Sequence, residues 1–586
     1  MRHAARPLSH KPNRRNADMP IDAETDQAMA VHAQLVAALR RPGACAGQVE
    51  AAELIETHIS SLLLAGEFVF KLKKPVALPF VDFSRIELRH QACLDELRLN
   101  RRTAPHLYLA VVPVLGGGDA LLGPVILAPT VAGTAPAGDI VNWAVMMRRF
   151  DDRLLFSHLT RAGNLRAEQV DALAEVVARF HAGLPPAPAA FGHAEASRAM
   201  ARQNMAELVA LTAGTAAAAD WQALQRWTES RGGELAALMD QRRRSGHVRE
   251  VHGDLHLANI VWCRDAPLLF DALEFNASMR HIDTIADLAF TFMDLVAAGL
   301  PRLAWRFISA VLDASGDHAA LPLLRWWAVH RAAVRAKVAL LAAAGQGGAG
   351  VGARVGAQAG AKAGAQANAQ ESTGDEAQRY QAAANQLAGL AGAAVSAGLA
   401  WQGNAKPALR LVLACGLSGS GKSLVAGALA EHLGAVRLRS DVERKRLFGL
   451  PPTGGSAPGL YALEASVRTY ERLQQLAAMA LSGQISVVVD AASLQHRERE
   501  ALQAVALRHG AAYRLLVCEA PLTVLQQRVM ARREAGKDAS DATLEVLAQQ
   551  QQWAEWPTGA EAEHRLSLDT DCSLDELTRR IEALPI

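Results

Sequence analysis

The chain has 586 residues, half of them hydrophobic, which is more than one hydrophobic core usually organises, so two or more domains are expected. A formal net charge of +2 gives no electrostatic reason to expect a nucleic-acid or membrane-surface protein and leaves small-molecule partners open. Cys45, Cys93, Cys263, Cys415, Cys518 and Cys572 are scattered, with no CxxC pair and no histidine at metal spacing, and read as buried thiols in a reducing cytosol. No run approaches a membrane span and the first residues lack the apolar core of a signal peptide, so a cytoplasmic protein is expected.

Residues 1–24, with Arg2, Arg6, Lys11, Arg14 and Arg15, read as a disordered basic tail. A first domain is expected over 25–344. Its strand-like segments come early, at 67–73, 109–114 and 143–149, with a helical stretch at 84–102; mostly helical sequence follows, interrupted by VHGDLHLANIVW at 251–262. Strands first and helices later imply a small sheet lobe joined to a larger helical lobe.

In FVFKLKK, Val69, Lys71 and Lys73 share one strand face, as Ala and Lys do in a V-A-I-K strand, where the small residue lies under adenine and the lysine meets phosphates. That favours Lys71, with Lys73 as the alternative. In HGDLHLAN, Asp254 and Asn259 stand five apart, and Asp271 follows at the end of another apolar strand. The spacing reproduces the catalytic-loop and metal-aspartate logic of protein kinases: Asp254 near an accepting hydroxyl, Asn259 and Asp271 as oxygen ligands for magnesium. His252 and His256 sit in no pattern of metal ligands and read as structural.

These segments resemble the aminoglycoside phosphotransferase and choline kinase-like superfamily, which has the protein-kinase-like fold. FVFKLKKPV, ELRLNRRTAPHLYL, VMMRRFDDRLL, VHGDLHLANIVW, FDALEFN and RHIDTIADLAF are similar, more closely still, to a bacterial family that fuses such a domain to a P-loop kinase domain. The resemblance implies that Glu96 is the carboxylate partner of the lysine, where distance along the chain favours Glu87. It also makes Asp283 and Asp287 supports of the catalytic loop. ETHISSLLLAGEF lacks the GxGxxG loop of protein kinases, with Gly66 its one glycine; aminoglycoside-type enzymes lack that loop too.

Residues 345–375 are biased to Gly, Ala and Gln and hold almost nothing large to bury, so a flexible linker is expected. Helical spacing resumes around Tyr380, Leu387, Leu390 and Val395, giving a bridging helix over 376–404. From 405 to 586 short apolar runs at 409–415, 435–438, 485–489, 513–517 and 565–568 alternate with helical stretches, several stopped by Gly434, Gly449, Gly483 and Gly510. Such alternation implies a parallel five-stranded sheet with helices on both faces and ligands at the strands' carboxyl ends.

Gly416, Gly421, Lys422 and Ser423 complete GxxxxGKS between a strand and a helix, with Ser418, Gly419 and Ser420 inside the wrap. Main-chain amides and the helix N-terminus would face a phosphate there, Lys422 would reach its outer oxygens, and Ser423 would ligate magnesium. Asp441 ends the second strand with Arg444 a turn later, and Asp490, closing ISVVVD, fits a carboxylate acting on magnesium through water. Arg528, Arg532 and Arg533 lie on one helix, the first two on a shared face. This part resembles the small P-loop kinases, a group that includes gluconate, adenylylsulfate and polynucleotide 5'-hydroxyl kinases. The resemblance implies that Asp441 orients or deprotonates the accepting hydroxyl, that Arg444 binds substrate or phosphate, and that Arg528 or Arg532 closes over the transferring phosphate.

The expected protein is an α/β and α+β multidomain chain that uses ATP and Mg2+ to phosphorylate a hydroxyl of a small molecule. Two alternatives are a first domain that only senses ligand and regulates the second, and a nucleic-acid 5'-hydroxyl kinase in the second, against which the near-neutral charge argues. Acceptor identity and oligomeric state have no sequence code here.

Overall fold

A computed structural model describes residues 23–45, 50–57, 59–78, 81–116, 139–347, 373–390, 409–452, 455, 457–535 and 542–586. Residues 1–22 of the expected tail, 348–372 of the expected linker, and Val395 lie outside them. The described residues form two compact units: the residues up to Leu97 with Leu107–Arg149, and Arg98–His106 with everything from Phe150 onward.

The first unit is built on an antiparallel five-stranded sheet in the order Glu53–Glu56, Ser60–Ala65, Phe68–Lys73, Asp139–Arg148, Tyr108–Gly116. Alternation along the central strand decides which face each residue serves. Phe70 and Leu72 enter an apolar cluster with Leu63, Val112, Ala144 and Met146, closed by Val36 and Leu39 of the helix Ala23–Leu39. Lys71 and Lys73 therefore take the opposite face. The three strands read from sequence are present, and the sequence reading missed the two that precede them: Ser60–Ala65, buried along almost all its length, shows no alternation to read, and Glu53–Glu56 is only four residues long.

The second unit joins the helical part of the first domain to a parallel sheet. Its helix Thr284–Ala297 is buried at every position, and Asp283 caps it by accepting the Ile285 N–H. The parallel sheet runs Ala435–Arg439, Ser486–Asp490, Arg410–Cys415, Ala512–Glu519, Arg565–Asp569. The first strand in the chain lies in the middle, so the order reverses beside it and the strand ends there open a crevice. One contiguous core includes Phe307, Ile308 and Leu312 of the helix Pro301–Ser315 together with Val436, Leu438 and Leu476 of the sheet domain.

Of the expected bridging helix over 376–404, residues 391–404 lie outside the described residues. A helix runs over Thr373–Ala388 and ends at Gly389, whose φ of +69° suits glycine. Tyr380, Ala383, Ala384 and Leu387 are buried in the helical lobe's core, so this segment is a docked part of that lobe.

Candidate nucleotide and phosphoryl-transfer sites

In the first unit Lys71 and Lys73 both reach one carboxylate. Lys71 Nζ lies 2.8 Å from Glu96 Oε1 and Lys73 Nζ 2.5 Å from Oε2. Glu87 instead sits exposed in the first turn of the helix Ile86–Asn100, 3.3 Å from Arg85. Burial alone would raise the Glu96 carboxyl, but the two ammonium groups outweigh it and hold its pKa down at about 2. Lys73 is fully buried with its Nζ 5.5 Å over the Phe83 ring, and Lys71 keeps 8% of its side chain exposed.

The HGD loop is held by carboxylates below it. Asp287 accepts the His252 N–H at 3.2 Å and the Gly253 N–H at 2.9 Å, and His181 Nε2 lies 2.9 Å from it. Gly253 turns with φ +83°, and a Cβ there would meet Met279 O at 3.2 Å. Asp254 is half-buried. Its main-chain oxygen and Oδ2 accept from Asn259 Nδ2 at 2.9 and 3.2 Å, and His256 Nε2 lies 3.4 Å from Oδ2. Burial opposes ionisation of Asp254, yet His256 and Arg335 hold its carboxyl below the usual range, so it is an ionised acceptor at neutral pH. Asp271 adopts φ +60°, a left-handed conformation unusual for a side-chain-bearing residue, and the next N–H, that of Ala272, is fixed at 2.8 Å by Asn100 Oδ1.

Of the two aspartates expected to support this loop, Asp287 touches it directly. Asp283 acts on the adjoining helix and is bound by Arg242 at 2.7 and 2.8 Å. His252 Nε2 donates to Phe270 O, 2.9 Å away, and its Nδ1 accepts the Asp254 N–H at 3.3 Å. Sequence reasoning missed Asp294, whose Oδ2 accepts the Leu257 N–H at 2.9 Å and whose Oδ1 accepts the Tyr380 hydroxyl at 2.9 Å. The signal was available: Asp287 and Asp294 are the two charged residues, seven apart, of the helix Thr284–Ala297, and such groups are buried only with partners.

The phosphate loop follows the strand Arg410–Cys415. Gly416, Gly419 and Gly421 have φ of +147°, +85° and +77°, and a Cβ on either of the first two would lie 2.5 Å from a backbone oxygen, of Cys518 or Leu525. Only glycine permits this wrap. Gly421 precedes the helix Lys422–Leu433. Lys422 Nζ folds over the loop to donate to Leu417 O at 2.7 Å; burial pushes its pKa down, and the Asp490 and Asp441 carboxylates counter part of that. Ser423 Oγ donates to Asp490 Oδ1 at 3.2 Å, joining the ends of two neighbouring strand–loop units.

Around the loop, Thr570 Oγ1 donates to Ser420 O at 3.0 Å, and Gln550 Oε1 accepts the Ser418 N–H at 2.8 Å. Arg528 donates to Thr570 O at 2.8 Å and to Gly419 O at 3.4 Å, so it braces the loop wall; Arg532 follows one turn later on the helix Leu522–Ala535. Asp441 lies in the first turn of the helix Ser440–Leu447. Arg444 is buried, with Nη1 at 3.2 Å from Leu460 O and 3.1 Å from Ser466 Oγ, its guanidinium over the Tyr461 ring. Gln550 and Thr570 carried no sequence signal, because each acts through tertiary contact with a loop far away in the chain.

Residues 65–327 match the model of the Phosphotransferase enzyme family and residues 411–557 the model of an AAA domain. The uncharacterized protein Rv2004c of Mycobacterium tuberculosis (strain ATCC 25618 / H37Rv) is 28% identical over 510 residues, covering 86% of this chain and 90% of its own. The uncharacterized protein Mb2027c of Mycobacterium bovis matches with the same figures of 28%, 86% and 90%. Among solved structures, a gluconokinase from Sinorhizobium meliloti 1021 is 22% identical with a TM-score of 0.23, covering 30% of this chain and 90% of that one. The Mycobacterium tuberculosis APS kinase CysC is 24% identical with a TM-score of 0.23, covering 30% of this chain and 96% of that one. The chain joins a protein-kinase-like phosphotransferase domain to a C-terminal P-loop kinase domain in one polypeptide, and it is a phosphotransferase.

Proposed function

We propose that the chain is an ATP- and magnesium-dependent kinase with two nucleotide sites, each transferring a γ-phosphoryl group to a hydroxyl of a small molecule. The observation that carries this reading is the 3.2 Å hydrogen bond from Ser423 Oγ to Asp490 Oδ1 beside a glycine-wrapped loop covered by Lys422. A hydroxyl and a carboxylate so paired, next to a part-buried ammonium, are the donor set a magnesium-bound polyphosphate requires. Among the described residues no three His, Cys, Asp or Glu side chains cluster as a metal set, so the nucleotide's own oxygens would complete the coordination. Bound magnesium would supply charge neutralisation at the transferring phosphate.

The chain's residues would do the rest. In the second domain Lys422 holds the outer phosphate oxygens and Asp441 takes the proton of the attacking hydroxyl. In the first, Lys71 would hold phosphate with Glu96 fixing it, Asp254 would take the hydroxyl proton, and Asn259 and Asp271 would hold the metal. In both, the acceptor oxygen bonds to the γ-phosphorus as the bond from that phosphorus to the β–γ bridging oxygen breaks, and ADP leaves.

The test uses the full chain with Asp254→Asn, Lys422→Ala and both together. ATP consumption and product phosphorylation are followed over a panel of sugars, amino alcohols, nucleosides and oligonucleotides. Each single change is expected to remove transfer to a different acceptor, by a factor of about 100 or more. The double variant should be inactive. Activity untouched by Asp254→Asn would make the first domain a sensor, and activity surviving both changes would overturn the reading.

A further inference from the structure

The helix Pro301–Ser315 belongs to the phosphotransferase domain, yet its last turn lies against the P-loop domain's edge strand Ala435–Arg439. On that strand Arg437 and Arg439 alternate with the buried Val436 and Leu438, so both guanidinium groups emerge on one face. Asp313 meets them there. Its Oδ2 is 3.6 Å from Arg437 Nη2 and 3.4 Å from Arg439 Nη1.

Both arginines also touch the phosphate site. Arg437 Nη1 donates to Ser423 O at 3.1 Å, and Arg439 Nε lies 3.9 Å from Asp490 Oδ2, the oxygen that Ser423 Oγ does not use. The same helix end grips the neighbouring segment: Arg446 Nη2 donates to Asp313 O at 2.6 Å, and Gly316, at φ +74°, leaves room that a Cβ 2.6 Å from Arg446 Nε would fill. Asp313, a carboxylate from the first domain, thus pairs with two arginines that themselves reach Ser423 and Asp490.

We propose that Asp313 is a positioning residue for the P-loop site, supplied by the phosphotransferase domain: it holds Arg437 and Arg439 so that Asp490 stays available to magnesium. The inference rests on the reading of Lys422, Ser423 and Asp490 as a magnesium–nucleotide site. Its physical basis is competition for one carboxylate. Arg439 is within ion-pair distance of both Asp313 and Asp490, and the charge of Asp313 draws it away from the second. Without that charge, the pull on Arg439 toward Asp313 is gone while its pull toward Asp490 remains. An arginine seated on Asp490 opposes a divalent cation both by charge and by occupying the free oxygen.

The test is magnesium titration of the binding of a fluorescent ATP analogue to the full chain, following the component that Lys422→Ala removes. Asp313→Asn, which keeps the size and removes the charge, should raise the half-saturating magnesium concentration about tenfold. Saturating magnesium should return binding to the wild-type level. Asp313→Glu should recover part of the shift. Adding Arg439→Gln to Asp313→Asn should bring the midpoint back, because the competitor is gone. Arg302→Ala serves as the control: it severs another bridge between the same two domains, from Arg302 to Glu582 at 2.7 Å, and should leave the midpoint unchanged. An unchanged midpoint in Asp313→Asn, or an equal shift in Arg302→Ala, would overturn the inference while the nucleotide site stood. Failure of Lys422→Ala to remove any binding would instead overturn the reading beneath it.

Discussion

The Tyr380 hydroxyl donates a 2.9 Å hydrogen bond to Asp294, and the other oxygen of that carboxylate accepts the N–H of Leu257 inside the HGD loop at 2.9 Å. A residue that follows the Gly/Ala-rich segment therefore helps fix the loop bearing Asp254. Burial pushes the Tyr380 phenol up to about 12, so it stays a donor throughout the neutral range. Tyr380→Phe keeps the packing and leaves Asp294 short of a donor in a buried place. The expected cost is about 2 kcal/mol, read as a lower urea midpoint with an unchanged slope. Transfer dependent on Asp254 should fall in the same variant; a stability loss without it would show that the loop does not need this support.

Glu96 gives a pH signature. Its carboxyl is held at about 2 against an ordinary 4.5, so the folded chain binds fewer protons there than the unfolded one. The stabilisation is complete above the ordinary value and is lost as pH falls from about 4.5 toward 2. Denaturation at a series of pH values should show this decline, and Glu96→Gln should flatten it. Glu96→Ala should cost about 3–5 kcal/mol, because two buried ammonium groups lose their counter-charge. Lys71→Met and Lys73→Met separate the two lysines: both should destabilise the first unit, whereas nucleotide use by that domain should fall most with Lys71, the one with exposed surface.

What could be read beforehand follows from how local each signal is. The five strands of the parallel sheet are short apolar runs, four of them with a glycine within three residues of an end, and each expected run overlaps an observed strand, from Arg410–Cys415 to Arg565–Asp569. Lys422, Ser423 and the loop glycines are fixed by spacing alone, since the wrap needs glycine where φ is positive. Glu96 over Glu87 was not decidable from spacing: both lie on the helix Ile86–Asn100, and only the sheet's position against that helix selects the nearer one. The docking of Thr373–Ala388 onto the helical lobe was hidden for a related reason. Tyr380, Ala384 and Leu387 mark an apolar face, but a face does not name its partner, and the partner lies on the far side of residues 348–372.

Gly483 tests how tightly the helical lobe and the P-loop domain are packed. It ends the helix Leu463–Ser482, and a Cβ there would stand 2.9 Å from Pro322 Cα and 3.2 Å from Pro322 N, in the first turn of the helix Leu321–Gly347. Backbone cannot swing aside as a side-chain tip can. Gly483→Ala is expected to cost about 1–3 kcal/mol through displacement of the two helix ends. Because one core runs through both parts, a single shifted thermal transition should be seen; an unshifted transition would mean that the junction yields at no cost.

Asp271 carries the last prediction, because its backbone and its side chain make separate demands. A φ of +60° costs an ordinary residue about 1 kcal/mol, and asparagine and aspartate tolerate it best among side-chain-bearing residues. If the conformation serves only the turn, glycine should be at least as good there as aspartate. Asp271→Asn should therefore keep the stability, Asp271→Gly should keep or raise it, and Asp271→Ala should lose about 1 kcal/mol. All three remove the carboxylate, and all three should lose transfer from the first domain by a factor of about 100 or more. An Asp271→Gly chain that is stable yet inactive in that domain would show strain held for the sake of one charged oxygen pair; retained transfer in the same variant would remove Asp271 from the metal site and leave it a turn residue.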